Sequence, residues 1–228
     1  MNNNVINIIP TPIGNLEDIT FRAVETLKKS DYILCEDTRV SKKLLIKYNI
    51  DVPLVSFHAF NEHKTVKKHI NQILDGKIIS LITDAGTPSI SDPGFLIVRE
   101  SIKNNIEINC LPGATALIPA IVNSGLSSDR FVFEGFLPSK KGRNKRIKNL
   151  IEEKRSIVIY ESPKRILRLL NDLISFFGEH RNASISRELS KIYQENIRGT
   201  LKELYDEFEN KNVKGCLLYT SPSPRDVS

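Results

Sequence analysis

Residues 78–94 read IISLITDAGTPSISDPG, an apolar run followed by a loop of small and polar residues. The run 78–82 predicts a buried strand, and the loop 83–94 leads from its carboxyl end into a helix. In open α/β sheets, ligands bind just outside such strand ends. Gly86 permits a close approach of the backbone, and Asp84 and the hydroxyls offer polar contacts. The loop is either a binding segment or a Gly/Pro/Asp-rich turn, and its length favours binding.

The same rhythm of strand, loop and helix runs through most of the chain. The predicted strands are 5–9, 32–35, 54–56, 78–83 and 106–111, then 131–134, 157–160 and 183–187. The predicted helices are 19–29, 41–48, 63–74, 95–103 and 115–124, then 145–153, 165–177 and 201–210. Strands that alternate with helices predict an α/β fold with a mainly parallel sheet, and the rhythm restarts after Gly125. We therefore expect two α/β domains.

The expected boundaries are an N-terminal domain over 1–120, which carries the ligand loops, and a C-terminal domain over 125–215. The remaining residues, 216–228, read CLLYTSPSPRDVS. Prolines and serines after Tyr219 argue against a long central strand, and the segment also resembles a translated sequencing adapter. We expect this tail to be non-native or disordered, with the native C-terminus missing.

Two more loops repeat the pattern of the first. Residues 111–116 and 10–16 each lead from a predicted strand to a helix, and both contain proline and glycine. Exposed amide groups at a helix start suit a carboxylate or a ribose hydroxyl. Three such loops at one sheet edge would surround one pocket. The chain has no G-x-G-x-x-G fingerprint and no Walker A sequence, which disfavours dinucleotide-binding and nucleoside-triphosphate-binding folds.

Charge and cysteine content narrow the class of protein. Lys and Arg number 33 against 27 Asp and Glu, and the net charge of +6 permits an anionic partner. Cys35, Cys110 and Cys216 form no C-x-x-C pair, so neither a disulfide framework nor a zinc site is expected. The histidines are expected to be polar or partly buried residues rather than metal ligands, so we predict no metal. Without a signal peptide or an apolar span, the chain is expected to be soluble and cytoplasmic.

A set of short motifs occurs in an order that is specific as a whole. These motifs are PIGNL at 12–16, EDTR at 36–39, NE at 61–62, DAGTP at 84–88, SDPG at 91–94, PGATA at 112–116, EGFLP at 134–138, YESP at 160–163 and REL at 187–189. The chain resembles the ribosomal RNA small subunit methyltransferase I family. That family is the ribose-methylating branch of the tetrapyrrole-methylase superfamily, which consists of class III S-adenosylmethionine-dependent methyltransferases.

The resemblance implies a homodimer of two α/β domains of the tetrapyrrole-methylase type, with S-adenosylmethionine in the cleft between the domains. It also implies 2′-O-methylation of a cytidine in the decoding region of small-subunit (16S) rRNA, with rRNA in the assembled ribosomal subunit as the partner. The implied cofactor-binding residues are Pro12, Asp84, Ala85, Gly86, Ser89, Ile90, Thr115, Ala116, Phe133, Tyr160 and Glu161.

Activation of a ribose hydroxyl requires a base or a cation near the cofactor, because a 2′-hydroxyl is a weak nucleophile. We assign this role, or placement of the ribose, to Glu36, Arg39 and Glu62. For Glu36 and Arg39 a local ion pair and helix cap is an equal alternative.

Residues 140–148 contain six basic side chains and no acidic one. A run of charge is often only a solvated surface, but this one follows the EGFLP motif and favours contact with RNA phosphates. The residues assigned to this contact are Lys140, Lys141, Arg143, Lys145 and Arg146. Two other functions stay open: methylation of a tetrapyrrole or other small molecule, and non-catalytic RNA binding during ribosome assembly.

Overall fold

The computed structural model describes residues 4–211 and 217–221, which form two compact units that divide between Thr115 and Ala116. Each unit contains one five-stranded sheet with helices packed against it. The mixed α/β class expected from the sequence is confirmed. Within the described ranges, the search for a helix that is long and apolar enough to cross a membrane found no candidate.

The first unit is a parallel α/β sheet. Its strands are β1 (Val5–Ile8), β2 (Tyr32–Cys35), β3 (Leu54–Ser56), β4 (Ile79–Leu81) and β5 (Glu107–Cys110). Its helices are α1 (Phe21–Lys28), α2 (Thr38–Lys47), α3 (Glu62–Leu74) and α4 (Phe95–Lys103). The strand order is β3-β2-β4-β1-β5, and every neighbouring pair is parallel. All carboxyl ends therefore lie along one edge.

Alternate strand residues of this unit belong to separate hydrophobic clusters. Leu34 and Leu81 pack in one cluster with residues of α3 and α4, whereas Ile33 and Ile82 pack in the other with residues of α1 and α2. Successive side chains of a strand point to opposite faces of a sheet. The helices therefore cover both faces, which explains why the central strand β2, YILC, is apolar without alternation.

The second unit contains a mixed sheet. Its strands are β6 (Phe131–Phe136), β7 (Ser156–Glu161), β8 (Asn182–Arg187), β9 (Glu195–Thr200) and β10 (Leu217–Ser221). Its helices are α5 (Leu117–Ser124), α6 (Arg143–Asn149), α7 (Ile166–Phe177) and α8 (Leu201–Glu209). In the order β6-β7-β10-β8-β9, only β6 and β7 are parallel, and the other pairs are antiparallel.

Three features differ from the sequence-based expectations. Helix α5 belongs to the second unit, so the division lies before residue 120. Strand β9 has no counterpart among the predicted strands. The expected disorder is wrong for Leu217–Ser221, which form a central strand with all five residues buried. This strand pairs with β7 and β8, and the first proline of the tail follows its last residue. Residues 216 and 222–228 of the predicted tail lie outside the described residues.

We expect Tyr219→Ala to lower the free energy of unfolding of the second unit by about 3–5 kcal/mol, as for other large-to-small changes in cores. Tyr219 is buried in the main hydrophobic cluster of that unit. Urea denaturation gives the measurement. The matched control is Tyr193→Ala, which removes the same atoms from a side chain that is 76% exposed. Equal, small losses for the two variants would contradict a buried position for Tyr219.

Candidate functional site

The carboxyl edge of the first sheet gathers the loops that the sequence singled out. The predicted binding loops follow β1, β4 and β5, which are neighbours in the order β4-β1-β5. The loops that carry Glu36 and His58 follow β2 and β3 on the other side of β4. The fold therefore brings most of the candidate residues of the first unit to a single edge of its sheet.

Main-chain hydrogen bonds fasten the loops after β1 and β4 together. The amide of Thr11 donates to the carbonyl of Gly86 at 2.9 Å, and the amide of Gly86 donates back to Thr11 at 2.8 Å. The Thr11 hydroxyl also donates to the Thr83 carbonyl at 2.8 Å. The Thr87 hydroxyl donates to the carbonyl of Ala114 at 3.2 Å, which links the loop after β5. The three predicted loops therefore form one connected surface.

Two glycines of these loops cannot carry a side chain without a shift of their neighbours. A Cβ at Gly113 would lie 2.7 Å from the Cβ of Pro10, and one at Gly94 would lie 2.6 Å from Oγ of Ser89. Gly94 also has a φ of +134°, which L-residues rarely adopt. Ser89 and Ser91 have positive φ values of 72° and 65°. Strained backbone of this kind concentrates at ligand sites, because the surrounding contacts must hold it in place.

Carboxylates collect around Thr83 at this edge. The Thr83 hydroxyl donates to Oε2 of Glu36 at 3.3 Å and lies within hydrogen-bonding reach of Asp92. Asp84 accepts a hydrogen bond from the amide of Asp37 at 3.1 Å. Burial raises the pKa of Glu36, and the charge of Asp84 raises it further. The pKa of Asp84 is raised by burial as well.

Asp92 is a site residue that sequence reasoning missed. Burial, together with the charges of Glu36 and Asp84, raises its pKa to about 6. Its place in the long loop was visible, but its spacing from Glu36 along the chain gave no sign that the two carboxylates would meet. In the described ranges, no group of three or more His, Cys, Asp and Glu side chains is arranged to hold a metal ion. The raised pKa values follow mainly from burial, which outweighs the charge of His58 near Glu36 and that of Arg39 near Asp84.

The predicted catalytic residues occupy three different environments. Arg39 forms an ion pair with Asp37 at 2.6 Å, and Asp37 also caps α2 by accepting from the Arg39 amide. This pair lowers the pKa of Asp37 to about 2. The local ion pair and cap therefore exist, but they involve Asp37 rather than Glu36. Glu62 begins α3, and its Oε2 atom is buried without a hydrogen-bond partner in the structure.

A small cavity of about 50 Å³ lies beside the joined loops. Its wall is formed by residues of the loops after β1 and β4 together with residues of α2: Thr11, Pro12, Leu16, Val40, Ser41, Leu44, Ile82, Thr83 and Asp84. Pro12 is buried, whereas Ala85 is exposed and Ile90 is 41% exposed. Thr115 and Ala116 are half-buried at the division between the two units.

In the second unit, the predicted cofactor residues do not share one role. The rings of Phe133 and Tyr160 meet at 4.9 Å between centroids, and both side chains are half-buried. Glu161, by contrast, is fully buried. Its carboxylate accepts from Arg165 at 2.7 Å and lies 3.4 Å from Arg143. The prediction that this carboxylate contacts a cofactor therefore needs correction, because both of its oxygens are paired with arginines inside the unit.

The predicted RNA-binding segment also needs a correction. Arg143 is 1% exposed, and its guanidinium donates to Asp172 at 2.6 Å. It therefore stabilises the interior instead of meeting RNA phosphates. Arg146 lies at the surface but pairs with Glu134 at 2.6 Å. The lysines of the segment, Lys140, Lys141 and Lys145, are exposed.

Comparison with known proteins identifies the fold family. A family model described as Tetrapyrrole (Corrin/Porphyrin) Methylases matches residues 5–205. The chain belongs to the tetrapyrrole methylase family. The expected type of two-sheet α/β methylase fold is therefore confirmed.

Solved structures support the same fold at low sequence identity. Diphthine synthase aligns with a TM-score of 0.74 and 11% identity over 96% of this chain and 90% of that chain. Uroporphyrin-III-C-methyltransferase from Thermus thermophilus gives 0.67 and 14%, over 95% and 94%.

Curated relatives of this methylase are much more similar in sequence. A protein named Ribosomal RNA small subunit methyltransferase I from Synechocystis sp. is 44% identical over 97% of this chain and 81% of its own length. One with the same name from Thermotoga maritima is 45% identical over 91% of this chain and 93% of its own length. The resemblance inferred from the ordered motifs is thereby confirmed.

We expect Arg143→Met to lower the free energy of unfolding of this methylase by about 3 kcal/mol, because it leaves Asp172 and Glu161 without their shared cation. Urea denaturation measures the loss. Lys145→Met is the control, since Lys145 is exposed two residues away and should change stability by less than about 0.5 kcal/mol. If both variants lost the same small amount of stability, the buried position of Arg143 would be contradicted.

Asp92→Asn is expected to stabilise the methylase at alkaline pH. The folded-state pKa of about 6 lies above the ordinary value of 3.8, so ionisation of Asp92 destabilises the folded state as pH rises between these values. At pH 8 the variant should be more stable by on the order of 1 kcal/mol, after allowance for solvent screening, and at pH 4 the gain should vanish. Urea denaturation at both pH values provides the test, with the exposed Asp51→Asn as control. A gain that does not depend on pH would contradict the assignment.

Proposed function

We propose that this methylase transfers a methyl group from S-adenosylmethionine to the 2′-hydroxyl of a cytidine in the decoding region of small-subunit rRNA. The observation that carries this proposal is the 45% identity to a relative named Ribosomal RNA small subunit methyltransferase I, which matches 93% of that relative's length. The uroporphyrin-methylating neighbour shares only 14% identity, which supports a common fold but not a common substrate.

The residues at the carboxyl edge fit a cofactor of this chemistry. S-adenosylmethionine would supply an electrophilic methyl group on a positively charged sulfur, and it also carries an ammonium group. Asp84 and Asp92 have raised pKa values and therefore suit a cationic ligand. Glycine and small residues leave backbone groups open to a ligand. The proposed cofactor residues of these loops are Pro12, Asp84, Ala85, Gly86, Ser89, Ile90, Thr115 and Ala116.

Glu36 is the carboxylate that we assign to the ribose hydroxyl proton. The Thr83 hydroxyl fixes one of its oxygens, and its raised pKa brings it closer to that of an effective general base. The negative charge of Asp84 raises the pKa of Glu36 further, and Asp92 lies within hydrogen-bonding reach of the same Thr83 hydroxyl. Glu62 has a buried oxygen without a partner, which suits acceptance of a hydrogen bond from a ribose hydroxyl.

Arg39 and three lysines of the basic segment serve the polyanionic substrate in this proposal. Arg39 is 88% exposed and held in a fixed direction by Asp37, so it can meet a phosphate with its free edge. Lys140, Lys141 and Lys145 are exposed and contribute general attraction to RNA. Arg143 is omitted from this set. Phe133 and Tyr160 remain predicted cofactor contacts, and the homodimer remains a prediction from the resemblance.

Incubation with labelled S-adenosylmethionine and unmethylated small ribosomal subunits tests this function. We expect label on a cytidine 2′-oxygen of the decoding region, mapped by nuclease digestion and mass spectrometry. Label on a base or on another ribose would overturn the assigned target. Transfer to a tetrapyrrole in place of rRNA would favour the small-molecule methylases, and RNA binding without cofactor binding would favour a non-catalytic assembly protein.

The assignment of Glu36 has its own readout in the same assay. Glu36→Gln should lower kcat by about 10²–10⁴-fold, the usual contribution of a general base, while the Kd for S-adenosylmethionine changes little. Glu25→Gln is the matched control, because Glu25 lies on α1 and pairs with Lys28 at the surface. An unchanged kcat for Glu36→Gln would show that Glu36 is not the base. Asp92 or solvent would then have to accept the proton.

A further inference from the structure

Phe60 is an aromatic side chain that the proposed chemistry has not used. It is 91% exposed in the loop between β3 and α3. Burial of a side chain of this size is ordinarily favourable, and the folded chain forgoes that gain here. A single exposed apolar residue is common, so exposure by itself assigns no role. A role follows from the residues around Phe60.

The loop presents Phe60 in a fixed position. The Asn61 side chain accepts from the His58 amide at 2.8 Å and donates to the Ser56 carbonyl at 3.0 Å. The Asn61 amide donates to the carbonyl of His58 at 2.9 Å. The ring of Phe60 also packs edge-on against His58, with 6.0 Å between centroids. A side chain held in this way presents its ring without a large loss of conformational freedom on binding.

The same loop lies beside the carboxylates assigned to the ribose. The charge of His58 acts on Glu36 and lowers its pKa in part, which shows that the two side chains are close. Glu62 follows Phe60 by two positions and begins α3. A ribose that reaches Glu36 and Glu62 would therefore bring its base, or the next one along the strand, to the side of the sheet edge where Phe60 lies.

The helix that follows displays a set of lysines. Val66, Ile70 and Ile73 face the core from α3, and Lys64, Lys67 and Lys68 lie on the opposite, exposed face. Their spacing of three and four residues places them side by side on successive turns. Across the part of the chain that the structure describes, no ion pair with an acid is found for any of these three lysines.

We infer that Phe60 and the lysine face of α3 form a contact surface for single-stranded RNA, in which Phe60 stacks on a base and the lysines meet phosphates. This inference rests on the proposed function and extends it to a second region of the chain. Single-stranded RNA is bound by aromatic rings combined with unpaired cations, because its bases are free to stack. One isolated ring among lysines matches this partner better than a protein surface, which would require a wider apolar patch.

Two triple variants with the same charge change test the lysines. In one, Lys64, Lys67 and Lys68 become Gln; in the other, Lys42, Lys43 and Lys47 become Gln on α2, which packs on the opposite face of the sheet. The dissociation constant for unmethylated small subunits is measured between about 50 and 200 mM salt. The α3 triple should reduce the slope of log Kd against log salt by about 2, given about 0.7 per phosphate contact, and the α2 triple should leave it unchanged.

Phe60 has a different signature because stacking is not electrostatic. Phe60→Ala should weaken binding about 5- to 100-fold at every salt concentration, and Phe60→Trp should retain the wild-type Kd. Phe21→Ala is the control, since Phe21 is 95% exposed at the start of α1. Calorimetry with S-adenosylmethionine should show the same cofactor Kd for all variants, and size-exclusion chromatography with light scattering should show the same mass.

Several outcomes would overturn the inference. If the two triple variants reduce the salt slope equally, the attraction depends only on net charge. If Phe21→Ala weakens binding as much as Phe60→Ala, Phe60 does not stack specifically on a base. A smaller particle mass for Phe60→Ala would show that a second copy covers the ring. In each of these cases wild-type methylation of rRNA still upholds the proposed function. If the wild-type protein neither binds nor methylates small subunits, the proposed function fails first and the RNA surface falls with it.

Discussion

The two reciprocal hydrogen bonds between Thr11 and Gly86 are the constraint on which the candidate site depends. They extend the contact between β1 and β4 beyond the last strand residues, so that two loops of unrelated sequence become one ligand-facing surface. Gly86 adopts a φ of +88° in this pair, and a side chain there would be strained. The Thr11 hydroxyl then fixes the carbonyl of Thr83, and Thr83 orients Glu36 with its own hydroxyl. Binding loop and proposed base are therefore positioned by the same few contacts.

The carboxylates around Thr83 are placed where their ionisation destabilises the folded state, which is unfavourable for stability but suits ligand binding. Acids that stabilise a fold usually gain a cation or amide donors, which lowers their pKa, as Arg39 does for Asp37. Glu36, Asp84 and Asp92 show the reverse shift. Ionisation of such groups destabilises the folded state at neutral pH, and proteins retain this cost mainly where a ligand offsets it. The same ladder of parallel strands that gives the unit its stability carries these acids at its edge.

Local pattern predicted most of the first unit because its central strands β2 and β4 are buried and its helices are amphipathic. It failed where distant partners decide the outcome. Leu217–Ser221 becomes a strand because β7 and β8 supply hydrogen bonds on both sides, a fact that no local propensity contains. Strand β9, with its polar sequence, is stabilised by pairing with β8 in the same way. At the site, the motifs located Glu36 and Asp84, but the approach of Asp92 depends on how a twelve-residue loop folds back toward β2.

The basic segment shows why a count of charges does not locate a binding surface. Arg143 and Lys145 look equivalent in the sequence, yet one is buried and the other exposed. A guanidinium offers several donors in a fixed plane and is weakly hydrated, so it suits an internal network such as the one with Asp172 and Glu161. An ammonium group is strongly hydrated and stays at the surface, where a mobile polyanion can reach it. On an amphipathic helix such as α3, apolar residues fix the inner face, so the lysines of the outer face are exposed. In this chain that reasoning leads from the segment at 140–148 toward α3.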